Sequence, residues 1–151
     1  AAVAEARIRQ GWQVWLFGSK NDHAVAEQIR GRLIPGLREE STNLCGDTSL
    51  AQAIDLLSCA DAVVSNDSGL MHVAAALNRP LVAVYGSTSP GFTPPLADQG
   101  EMVRLGLDCS PCFDRTCRFG HYNCLRDLAP AQVDAALDRL VGDLLPDPQD
   151  S

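Results

Sequence analysis

The residues best equipped for chemistry stand together in the stretch NDSGLMH, residues 66–72, between two apolar runs. If a helix begins at Gly69, the N–H groups of Ser68, Gly69 and Leu70 find no partner within it and carry a partial positive charge, so they can receive phosphate oxygens. Gly69 has no Cβ and lets a ligand approach the backbone closely. Asp67 is negative and suits sugar hydroxyls rather than phosphate, and His72, one turn along, can face the same ligand as a donor. The plainer alternative is that Asp67 or Ser68 caps the helix while His72 packs inside. Two further loops of similar composition, GSKND at residues 18–22 and GSTSP at residues 86–90, also follow apolar runs. Three such loops at one sheet edge favour a nucleotide-sugar or dinucleotide cleft over capping alone. Neither a GxGxxG fingerprint nor a P-loop lysine motif is present, which weakens dinucleotide and ATPase readings.

A second group is the run C-x2-C-x4-C-x6-C formed by Cys109, Cys112, Cys117 and Cys124, with His121 inside it. Four thiolates this close can wrap a tetrahedral zinc ion, a structural role, and disulfides or free thiols are the alternatives. His121 is then a competing ligand or a surface residue. Cys45 and Cys59 read as buried thiols in a strand and a helix. Arg115, Arg118 and Arg126 add local positive charge that can face an anionic substrate or simply be solvated.

Parallel strands alternating with helices would bring these loops to one edge. Residues 1–10 favour helix, with Gly11 where a C-cap belongs. Residues 12–17 read as a strand, and Asn21 or Asp22 caps a helix running to about Leu33 that Ile34-Pro35-Gly36 breaks. Residues 42–45 read as a strand. Asp47-Thr48-Ser49 caps an amphipathic helix with Leu50, Ile54, Leu56 and Leu57 at helical spacing. Residues 62–65 are a buried strand, 69–77 a helix stopped by Asn78 and Pro80, 81–85 a continuous apolar strand, 102–107 a last strand, and the segment from Pro130 a closing amphipathic helix. Continuous apolar strands alternating with helices imply an α/β fold with a doubly wound, Rossmann-like parallel sheet. Ligands of such sheets bind at the carboxyl ends of the strands, where the three loops fall.

The 151 residues are 46% hydrophobic and 21% charged, ordinary for one α/β domain, here residues 1–146 with a tail at 147–151. The net charge of −7 argues against nucleic acid as a partner and against broad binding to anionic membranes. No apolar run nears the roughly 20 residues that cross a bilayer, and no signal-like segment opens the chain, so the reading is cytoplasmic. The sequence starts directly on a helical pattern, which reads as a piece of a longer protein with an upstream strand and loop.

The run VVSNDSGLMHVAAALNRPLVAVYGSTSPGFTPP resembles the bacterial lipopolysaccharide heptosyltransferases of glycosyltransferase family nine, a resemblance that extends from about Gln13 to Leu137. It implies the C-terminal, nucleotide-sugar-binding half of a GT-B fold, with ADP-heptose as donor and an inverting transfer that requires no cofactor. Asp67 matches the aspartate that holds the heptose, Ser68 and Gly69 the pair lining the diphosphate, and His72 the histidine near the phosphates. Asp22 matches an acidic residue on the adenosine ribose, or is a helix cap. Thr48 falls near the adenine, with only its backbone in play. The resemblance puts the catalytic base and a phosphate-binding lysine upstream of Ala1, in the domain that brings the Kdo–lipid A acceptor. Peripheral association with the cytoplasmic face of the inner membrane follows from that acceptor. A relative using another nucleotide sugar, or a non-catalytic nucleotide-binding domain, are the competing readings.

Overall fold

The computed structural model describes residues 1–142. The expected tail at 147–151 and the end of the closing helix lie outside the described residues. The chain divides into two compact units, Ala1–Leu56 and the part from Leu57 onward.

In the first unit, helix α1 (Ala2–Arg9) leads through Gly11, whose φ of +89° requires glycine, into strand β1 (Val14–Leu16). A 3-10 turn (Lys20–Asp22) opens helix α2 (His23–Gly31), and strand β2 (Ser41–Asn43) pairs in parallel with β1, Val14 opposite Ser41. Ile34-Pro35-Gly36 does more than break α2. It starts the one-turn helix α3 (Pro35–Arg38), because proline at the first helical position has its φ already set and its missing N–H would be unpaired there anyway. Helix α4 (Leu50–Ser58) follows, and Ser49 is its cap: its hydroxyl accepts the Gln52 N–H at 3.3 Å while Gln52 Oε1 accepts the Ser49 N–H at 2.9 Å.

The second unit is built on strands β3 (Val63–Asn66), β4 (Leu81–Val84) and β5 (Gly100–Val103), all parallel in the order β3-β4-β5. Helix α5 (Gly69–Ala76) packs on β3 and β4, and helix α7 (Pro130–Val141) packs on β4 and β5. β4 is therefore covered twice, which explains its unbroken apolar sequence. Leu81, Ala83 and Tyr85 share one buried cluster with Met71, Ala74 and Ala75 of α5. Val82, fully buried and pointing to the opposite face by strand alternation, meets α7, whose Val133, Ala136, Leu137 and Val141 are all buried. Arg139 grips Glu101 with two bonds of 3.0 and 3.2 Å and ties α7 to β5. The short helix α6 (Asn123–Arg126) closes the cysteine-rich loop.

The expected α/β class with parallel strands is present, with the ladders split into two sheets, β1-β2 and β3-β4-β5. Three details depart from expectation. β5 begins at Gly100 and ends at Val103, because its register is set by Leu81 and Val84 of the neighbouring strand and not by its own apolar residues. Val64 on β3 stays 45% exposed, so that strand is not buried throughout. Cys59 is exposed while Cys45 is buried: the inward stripe of α4 runs through Ala53 and Leu57, and Cys59 lies beyond the helix end and off that stripe.

Candidate functional site

The two units each present a strand-to-helix loop at the carboxyl end of a parallel sheet. In the second unit β3 ends at Asn66, and Asp67 and Ser68 turn the chain into α5. Ser68 is the N-cap by position, with extended backbone (φ −152°, ψ 168°), yet its side chain makes no cap bond. Its hydroxyl lies 3.2 Å from that of Ser65 instead, which in turn donates to the Asn66 carbonyl at 2.9 Å. The side-chain cap that would occupy the first amides of α5 is thus absent. A Cβ built on Gly69 would meet no atom within 4 Å, so the backbone there faces open space.

Asp67 does not cap the helix either. Its Oδ2 accepts a 2.7 Å hydrogen bond from the Thr93 hydroxyl, across the 86–99 loop. No other hydrogen bond reaches this carboxylate among the described residues. Thr93 is held a second time: its carbonyl accepts the Tyr85 phenol at 2.6 Å. Tyr85 is buried, which together with the nearby Asp67 charge pushes its pKa up and keeps the phenol a donor. His72 is exposed on α5 and not packed in the interior. Asp67, Ser68, Gly69 and the 86–90 loop therefore share one end of one sheet, with His72 a turn further along. Thr93 and Tyr85 were missed in the sequence. Their signal was weak, a hydroxyl in a Pro-rich segment and a tyrosine ending an apolar run.

In the first unit Asp22 sits in the 3-10 turn and its Oδ2 accepts both the Ser19 N–H (2.8 Å) and the Ser19 hydroxyl (2.6 Å). Those bonds hold its carboxyl below the usual aspartate range. A Cβ on Gly18 would lie 2.8 Å from Asp22 Cβ and 3.0 Å from Cys45 Sγ, and one on Gly46 (φ +81°) would lie 2.7 Å from Lys20 Cα. Gly46 N–H bonds the Gly18 carbonyl at 3.1 Å, so the loop bearing Asp22 and the loop leading to Thr48 are packed tightly together.

The cysteine loop of the second unit is fastened to the 86–90 loop. The Cys112 and Phe113 amides both donate to the Ser87 carbonyl (3.0 and 2.7 Å), and the Ser110 hydroxyl donates to the Gly86 carbonyl. Leu125 packs so closely on Gly86 that a Cβ there would come within 2.7 Å. No disulfide joins any of the six cysteines. The backbone N–H of Tyr122, and less strongly those of the residues just before it, favour the Cys117 thiolate and lower its pKa, while burial and the nearby Cys109, Cys112 and Cys117 raise that of Cys124. Among the described residues no group of three or more His, Cys, Asp or Glu side chains is drawn tightly enough to hold a metal as it stands. His121 is turned to other work, its Nδ1 accepting the Asn123 N–H at 3.0 Å and its ring stacking on Phe119. Arg118 pairs with Asp114 at 2.8 Å, and Arg126 lies over the Tyr122 ring.

The family model described as Glycosyltransferase family 9 (heptosyltransferase) matches residues 1–123. The chain belongs to glycosyltransferase family 9. Within the family it is 55% identical over 105 residues to the lipooligosaccharide heptosyltransferase 2 of Haemophilus influenzae, covering 70% of this chain and 30% of that protein. It is 43% identical over 141 residues to the lipopolysaccharide heptosyltransferase 2 of Escherichia coli K12, covering 93% of this chain and 40% of the relative. The solved structure of E. coli ADP-heptose LPS heptosyltransferase II superposes with a TM-score of 0.82 at 41% identity, over 95% of this chain and 40% of that one. A family 9 glycosyltransferase from Veillonella parvula shares the fold, with a TM-score of 0.78 at 22% identity. The chain thus spans 30 to 41% of the length of the curated heptosyltransferase 2 relatives from Haemophilus and E. coli. No helix among the described residues is long and apolar enough to cross a membrane.

Proposed function

We propose that this chain forms the donor-binding part of an inverting heptosyltransferase, gripping ADP-heptose while heptose passes to the lipopolysaccharide inner core. The observation that carries the reading is the junction at residues 66–69, where helix amides without a side-chain cap, an open glycine and a carboxylate held by one exchangeable hydroxyl lie side by side. The first amides of α5 receive the diphosphate, Gly69 lets it come close, and Asp67 accepts from heptose hydroxyls, exchanging Thr93 for the sugar. His72 lies near the phosphates as a further donor. In the first unit by itself, Asp22 keeps one carboxylate oxygen that Ser19 does not occupy, able to accept from the vicinal hydroxyls of a ribose, and the backbone at Thr48 follows the neighbouring loop.

The chemical difficulty is the departing ADP, whose charge grows as the anomeric bond breaks. Fixed N–H dipoles aimed at that charge stabilise it without reorganising. The acceptor hydroxyl attacks from the opposite face after losing its proton to a base, which we assign to the part of the relatives' length that this chain does not span. The Kdo–lipid A acceptor and contact with the inner-membrane face belong to the same part.

Calorimetry with ADP, ADP-heptose and UDP tests the assignment. Binding of ADP and ADP-heptose with much weaker binding of UDP is expected. Tighter UDP binding would move the donor to another nucleotide sugar, and no response to any of the three would end the donor-site reading.

A further inference from the structure

The hydroxyl that holds Asp67 belongs to a residue whose place is set by its own chemistry and by the core. Pro94 narrows the backbone choices of Thr93, and branching at Cβ restricts its side chain. The Thr93 carbonyl accepts the phenol of Tyr85 at 2.6 Å, and Tyr85, only 1% exposed, is locked in the apolar cluster of β4 and α5. The hydroxyl presented in this way reaches Asp67 Oδ2 at 2.7 Å in a part-buried bond. Its other acceptor in range is the Ser89 carbonyl at 3.5 Å, which already accepts the N–H groups of Phe92 and Thr93 at 3.0 and 3.2 Å. Thr93 therefore has one good partner and one poor one, and the good one is the carboxylate that a sugar would claim.

An alcohol bound to a carboxylate is the same pairing that a sugar hydroxyl makes. We propose that the Thr93 hydroxyl is a specificity-determining placeholder, occupying at Asp67 the position of a sugar hydroxyl and so lowering the preference for a sugar-bearing nucleotide over the nucleotide alone. This rests on the donor reading above. A nucleotide without its sugar leaves the bond between Asp67 and Thr93 in place, because it brings no hydroxyl to that carboxylate. Sugars present adjacent hydroxyls, and two of them engage both oxygens of a carboxylate, so Thr93 has to give up Oδ2 and fall back on Ser89. Being tethered, the Thr93 hydroxyl competes at a high effective concentration, more strongly than a free water molecule. In the empty site the same bond keeps a part-buried carboxylate partnered, where an unmade hydrogen bond would cost free energy.

Calorimetry with ADP and ADP-heptose on wild type, Thr93→Val and Thr93→Ser tests the placeholder. Thr93→Val keeps the side-chain shape and removes the competitor, so the affinity for ADP-heptose relative to ADP should rise about fivefold, the size of one hydrogen bond. Thr93→Ser keeps the hydroxyl and should return the ratio to that of wild type. In an Asp67→Ala background, Thr93→Val should no longer change the ratio. An unchanged or reduced ratio in Thr93→Val overturns the proposal, as does an effect that survives the loss of Asp67. Methyl NMR of the wild type needs no variant: ADP-heptose should shift the Thr93 methyl resonance and ADP should leave it in place. Identical Thr93 resonances in the two complexes overturn the proposal even where Thr93→Val fails to fold. Wild type that binds neither ligand ends the donor reading and the placeholder with it, whereas binding of both with an unchanged ratio in Thr93→Val ends the placeholder alone.

Discussion

The loops at Asp22 and Asp67 begin from similar material, an aspartate, a serine and a glycine where a parallel strand gives way to a helix, and they are used in opposite ways. At Asp22 the polar groups satisfy each other within the turn: one carboxylate oxygen takes two bonds from Ser19, and Gly18 is glycine because Asp22 and Cys45 fill the space its side chain would need. At Asp67 the serine leaves the helix amides alone, the carboxylate reaches to Thr93 in a distant loop, and the glycine borders emptiness. One glycine is required by packing, and the other borders open space. Composition alone does not distinguish a loop closed on itself from one kept open. The destination of each side chain's hydrogen bond does.

Substitutions can break or sharpen this contrast. Asp67→Ala should have the largest effect, because it removes a charge-assisted partner worth about 1.5–3 kcal/mol and so roughly 10–100-fold in kcat/KM for heptose transfer by the complete enzyme. A fully active, correctly folded variant would remove Asp67 from the site. Next come the two glycines as a matched pair, read by thermal or denaturant unfolding together with ADP calorimetry. Gly18→Ala should cost on the order of 1–3 kcal/mol of stability through overpacking. Gly69→Ala should leave stability nearly unchanged and weaken ADP by roughly tenfold, about 1.4 kcal/mol. Equal stability losses at the two positions would erase the distinction. Thr93→Val should cost less, about 1 kcal/mol of local stability from one lost hydrogen bond, detectable as faster hydrogen exchange in the 86–99 loop.

The smallest effect concerns pH. The folded pKa of Asp22 lies below its unfolded value near 4, so its contribution is complete above that value and is lost as pH falls through the folded pKa. Asp22→Asn should therefore lower stability slightly across the neutral range, where the contribution is complete, and flatten the acid limb below about pH 4, where wild type loses it. An acid limb identical to wild type would mean that the Ser19 bonds contribute nothing.

Much of the fold was legible because local patterns and tertiary demands agree. The unbroken Leu-Val-Ala-Val of β4 announces a strand covered on both faces, and the polar stretch after β3 announces a helix start at Gly69. Legibility failed where a partner far along the chain decides. The ends of β5 answer to β4, the exposure of Cys59 depends on where the α4 stripe faces, and Thr93 owes its place to an aspartate 26 positions earlier. The cap reading of Ser68 failed for a related reason: serine at a helix start has a local bond available, and here it turns to Ser65.

Thr93 is pinned at its carbonyl by Tyr85 and at its hydroxyl by Asp67. A ligand that claims Asp67 breaks only the second of these, and the first belongs to the buried end of β4. On the donor reading proposed above, loading and unloading would be a swivel about a fixed main-chain point, with neither the sheet nor the loop unfolding, and the barrier would be that of one hydroxyl changing partners.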